Sequence, residues 1–132
     1  MESYTETTWA DFYDEAKKYN KLLKGALNKP EKFTPDFIYN IAAMSVEKYF
    51  MAYFLKNSVL PPNHTIADLV MFMKQYQVIP DHLETRLLFM NDFQEICSLE
   101  QYNRKTPTKD DTVKFADTVD MVFNYIDPMV AM

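Results

Sequence analysis

Few residues in this chain could move protons or hold a metal: His64, His82, Cys97 and scattered carboxylates. His64 stands just ahead of a Thr-x-x-Asp helix start, and His82 falls in the first turn of another helix. Neither has a second histidine or a cysteine at metal-ligand spacing, so the pattern predicts no metal site. Both read as surface or capping histidines. Cys97 sits on an apolar helical arc and reads as a small core residue. No nucleophile-elbow or serine–histidine–acid pattern is present, so no catalytic residue and no cofactor is expected.

Two charged residues fall where charge is costly. Arg86 lies in the middle of an apolar arc between Leu83 and Met90, and Glu47 lies inside a helix that is apolar nearly all round. The expected solution is that Glu47 and Arg86 form a buried polar pair, or snorkel to a rim. The alternative is a polar pocket or a subunit contact.

The stretch LEQYNRKTPTKDD, residues 99–111, is a polar interruption between two helical segments. It sets Arg104 beside Tyr102, Asn103 and Lys105, just before a helix that Thr108 can cap. An arginine fork near a helix N-terminus suits an anion, because the free backbone N–H groups favour the same charge. The expected ligand-binding residues are therefore Arg104, Tyr102, Asn103 and Lys105, with His64 added. Asp110 and Asp111 offset Lys105 and Lys109 locally, so such binding should be weak and salt-sensitive. Simple solvation of Arg104 is the competing reading.

The elements that must position these groups are helices. A first helix should run from about Thr8 to Leu27, with Trp9, Phe12, Tyr13, Ala16, Leu23 and Leu27 on one face. Its lysines are interleaved with Asp11, Asp14 and Glu15 and read as a solvated face. Thr34 can cap and Pro35 can open a second helix to about Asn57. That helix leaves no solvated face, and a second subunit is the expected cover for its extra side. Thr65 with Asp68 opens a short third helix to about Tyr76, and Pro80 with Asp81 and Glu84 opens a fourth to about Ser98. Thr108 with Asp111 caps a fifth, which Asp127-Pro128 should stop. There is no strand-like alternation, repeat or linker. The expected fold is all-α, an up-and-down bundle of four to five helices in a single domain spanning residues 1–132.

Composition narrows the function. With 132 residues there is room for one core, and 48% hydrophobic with 25% charged residues is globular rather than disordered. Fourteen basic against 19 acidic side chains give a net charge of −5, so the chain as a whole repels nucleic acid. A single glycine, Gly25, excludes the glycine-rich phosphate loops of P-loop and dinucleotide-binding enzymes. One cysteine allows no internal disulfide, no apolar run nears the roughly 20 residues of a membrane span, and the N-terminus is too acidic for a signal peptide. A soluble cytoplasmic protein without membrane contact is expected.

The stretch IAAMSVEKYFMAYFLKNSVLPPNHTIADLV resembles the HEPN family (higher eukaryotes and prokaryotes nucleotide-binding). The features that carry the resemblance are Ala42, Ala43, Glu47 and Lys48, then Pro61, Pro62, His64, Ile66 and Leu69, and downstream Tyr102 and Arg104. It covers roughly residues 37–126 and implies a helical bundle that dimerises through these helices. Ribonuclease members carry an arginine followed four to six residues later by a histidine. Here the positions after Arg104 are Thr108, Lys109 and Asp110, and those after Arg86 are Met90, Asn91 and Asp92. An arginine alone cannot take and give protons near neutral pH, so the resemblance implies a non-catalytic member. Three functions follow as expectations. The first is a homodimeric module binding a nucleotide or phosphate group, and the second a partner subunit of a nucleotidyltransferase-type toxin–antitoxin pair. The third is a divergent ribonuclease lacking the usual Arg/His pair.

Overall fold

The structure is a computed structural model and describes residues 8–93 and 106–131. Those residues form five helices and no strand: α1 Trp9–Leu27, α2 Pro35–Lys56, α3 Ile66–Met73, α4 Asp81–Asn91 and α5 Lys109–Val130. The starts follow from local chemistry. Thr8 and Asp11 form a capping box on α1, and Thr108 and Asp111 form another on α5. Thr34 and Thr65 each accept a first-turn N–H, and Pro35 supplies the preset φ at the opening of α2.

Cross-chain contacts give the topology. Ser45 Oγ donates to the Ala16 carbonyl and Lys48 pairs with Glu15, so α1 and α2 run antiparallel. Tyr39 contacts Phe115 and Lys56 donates to the Val130 carbonyl, so α2 and α5 run parallel. Tyr39 also donates to the Met90 carbonyl, while Gln77, just before α4, donates to Tyr53, so α4 descends against α2. The four longer helices make an up-and-down bundle, with α3 a short element on the α2–α4 connection.

The core lies around α2. Its residues Ile38, Ile41, Val46, Tyr49, Phe50, Ala52 and Phe54 are all buried, and α1, α3 and α5 pack against it. The chain covers most of α2 by itself and leaves one edge, at Phe37 and Met44, exposed. α1, α3 and α5 give this nearly all-apolar helix neighbours on three sides.

Three helix ends also differ. α3 stops at Met73 and tightens into three-residue turns, with the N–H groups of Gln75 and Tyr76 bonding to Phe72 and Met73. α4 ends at Asn91 in a turn through Asp92 and Phe93, and residues 94–98, expected to continue it, lie outside the described residues. α5 continues through Pro128 to Val130. Proline removes one i→i−4 bond and crowds the Asn124 carbonyl, yet Asn124 is exposed and only one further turn depends on it. Buried Val130, the Lys56 bond to its carbonyl at 2.6 Å and the Ala131 N–H bond to Asp127 hold that turn in place.

Candidate functional site

The expected anion site splits between described and undescribed residues. Tyr102, Asn103, Arg104 and Lys105 lie outside the described residues, as does Cys97. What is described is the platform they lead into. Asp111 accepts the Thr108 N–H at 2.9 Å and donates its own N–H to Thr108 Oγ1 at 3.2 Å. Asp110 and Asp111 also put negative charge into the first turn, where it already complements the helix dipole. Lys109 lines an apolar groove of about 380 Å³ walled by Leu27, Phe33, Ile38 and Val113.

His64 is placed by the α2–α3 connection, one residue before the Thr65 cap. Its Nδ1 lies 2.7 Å from Glu47 Oε2, so Glu47 is paired with His64 and not with Arg86. The pair is half-exposed and sits on the rim of α2. Ahead of it on the same edge, at helical spacing, come Phe37, Asn40 and Met44, all exposed. A carboxylate that orients an imidazole is one part of an acid–base device, but no hydroxyl or thiol nucleophile contacts this pair among the described residues.

Arg86 lies apart from this pair. Its Nη1 is buried and has no hydrogen-bond partner among the described residues. On α4 it shares a face with Phe89, Met90 and Phe93, a face turned toward Phe115 of α5. The expected pairing fails because α2 presents Glu47 to the α2–α3 connection rather than to α4. His82 is exposed in the first turn of α4.

A further cleft escaped the sequence reading. Lys17, Asn20, Lys21 and Lys24 of α1 line a recess of about 290 Å³ with Tyr49 of α2 and Asp120 and Phe123 of α5. Lys24 Nζ is 2.9 Å from Asp120 Oδ1, which also accepts from Asn20 Nδ2 at 3.4 Å. Lys17 Nζ lies 4.7 Å from the centroid of the Tyr13 ring, and Tyr13 donates to Asp127. Burial raises the Tyr13 phenol pKa above its usual value, and the hydrogen bond to Asp127 adds to the shift. Burial likewise raises Tyr49, a hydrogen bond from Asn20 opposes the shift, and the charges of Asp120 and Asp127 reinforce it. The available signal was the 17, 21, 24 spacing of the lysines with an asparagine inside it. Interleaved acids on the same helix hid it, because only the docking of α5 shows which side chains face a neighbour.

Among the described residues no group of three His, Cys, Asp or Glu side chains could hold a metal ion, and no helix is long and apolar enough to cross a membrane. No family model, curated protein or solved structure matches the chain.

Proposed function

We propose that the chain is a non-catalytic, HEPN-like binding module that works as a homodimer, with a nucleotide or other anionic ligand held by the Arg104 loop ahead of α5. The observation that carries the reading is the outer edge of α2. The other faces of this helix are enclosed by its own chain, yet Phe37 is 43% and Met44 36% exposed, two turns apart on one line. Large apolar residues aligned on a central helix are the kind of surface a second copy covers in an isologous contact. The Glu47–His64 pair at the end of this edge supplies polar groups at its margin. Absence of catalysis is supported by the chemistry of the arginine loop, which offers charge and hydrogen-bond donors but no group that titrates near neutrality.

Light scattering at micromolar protein tests the reading. The native chain should run as a dimer, and Phe37→Asp combined with Met44→Glu should run as a monomer with its helical spectrum kept. A monomer mass for the native chain at that concentration rejects the proposal.

A further inference from the structure

The edge of α2 that a second copy would cover is too narrow to make a dimer by itself. We propose that α1 supplies the other half of the face, so that each copy offers its partner a two-helix layer, with Leu22 and Gly25 of α1 at the contact. The inference rests on the homodimer reading above and extends it to a helix which that reading does not use.

Area is the first argument. For its 22 residues α2 is about 33 Å long, and an edge about 10 Å wide gives a footprint of about 330 Å². A stable interface takes about 600–1,000 Å² from each partner. Laying the 19 residues of α1 beside α2 raises the footprint to about 600 Å². One helix falls short of the range and two reach it.

Continuity is the second argument. Lys48 Nζ is 2.9 Å from Glu15 and 4.9 Å from the centroid of the Phe12 ring, which fixes the antiparallel register of α1 on α2. Leu22 follows Glu15 by seven residues, on the same face of α1. The register brings it level with Asn40 and Ile41, between Phe37 and Met44, and it is 47% exposed. The opposite flank of α1 turns toward α5 through Lys24–Asp120 and Tyr13–Asp127. Glu15 and Glu47, the carboxylates beside this patch, pair with Lys48 and His64 inside the chain, so little local charge opposes contact despite the net −5.

The third argument is the glycine. Gly25, the only one in the chain, is exposed on α1 three residues after Leu22. A Cβ there would meet no atom within 4 Å, so nothing in the fold of one chain calls for glycine. Inside a helix glycine is less favourable than alanine, and its use lies in letting another backbone come close. A helix of the second copy crossing at Leu22 and Gly25 is such a neighbour.

Sedimentation velocity over a dilution series tests the proposal on the native chain, Leu22→Asp, Gly25→Gln and Leu88→Asp, with the helical spectrum of each recorded. Leu88, 40% exposed on α4, controls for a charge placed on an apolar surface residue elsewhere. Leu22→Asp should weaken dimerisation by about tenfold or more, as loss of a central interface side chain does. Gly25→Gln should raise the melting temperature of the diluted monomer yet weaken the dimer, an opposition that a role within one chain does not produce. Leu88→Asp should dimerise as the native chain does. A dimer that Phe37→Asp with Met44→Glu breaks, but that Leu22→Asp and Gly25→Gln leave at native strength, overturns this inference and keeps the homodimer reading. A native chain that is monomeric throughout overturns both. Equal weakening by Leu88→Asp also overturns the inference, since the effect would not be local to the α1–α2 face.

Discussion

Replacing Arg86 by methionine should make the protein more stable, not less. Its buried Nη1 has no partner among the described residues, and an unsatisfied buried donor costs about 1–3 kcal/mol. The residue is only half-buried, so the other guanidinium nitrogens reach water and the lower end of that range applies. Methionine keeps the length of the arginine stem and its contact with the apolar face of α4, which alanine would lose. The expected gain is about 1 kcal/mol, or roughly 3–5 °C in Tm for a domain of this size. Thermal and urea melts of the native chain, Arg86→Met and Arg86→Ala measure it, with alanine expected below methionine. A loss of about 3 kcal/mol or more in Arg86→Met would refute the reasoning, since that is the signature of a buried charge whose partner has been removed. A cycle with Glu47→Gln closes the test: coupling between positions 47 and 86 should stay within about 0.5 kcal/mol. Coupling between Glu47 and His64 should be measurable but below about 1 kcal/mol, because both side chains are partly exposed.

At the end of α2, Ser58 adopts φ 61° while the Val59 N–H closes back on the Phe54 carbonyl, a left-handed helix stop. Ser58→Gly should therefore stabilise by about 1 kcal/mol in a chemical-denaturation curve, and a loss of stability would show that the serine hydroxyl makes a compensating bond. Alkaline titration followed at the tyrosinate absorbance should show phenols ionising well above the usual value. Tyr125, half-buried and donating to the Val78 carbonyl, is pushed up to about 12 by that partial burial, and Tyr13 and Tyr49 shift in the same direction. A raised folded-state value favours the neutral phenol, so Tyr125's contribution is complete below about pH 10 and is lost as pH rises toward 12. Phe replacement at Tyr125 should flatten that part of the stability profile; an unchanged slope would place the ionisation elsewhere.

The helices themselves were legible because their signals are local. Thr108 and Asp111 are three residues apart, and the pair forms the capping box its spacing implies. Thr34 and Thr65 cap as read, and of the expected α5 stripe Phe115, Ala116, Val119, Val122 and Ile126 are buried while Phe123 is only partly so. Helix packing decided the rest. Glu47 meets His64, 17 residues away, because the α2–α3 connection folds back on the α2 rim, while Arg86 sits on another helix, on the face that carries Phe89 and Phe93. Lys24 meets Asp120 across 96 residues, and the cleft beside them exists only because α1 and α5 run antiparallel. Pro128 stays inside α5 because Lys56, from a different helix, holds the carbonyl of Val130. Periodicity says which face of a helix is apolar and which residues can cap it, since both depend on neighbours within a turn or two. Which charged side chain finds which partner depends on the relative placement of whole helices, and that is set by packing the shared core.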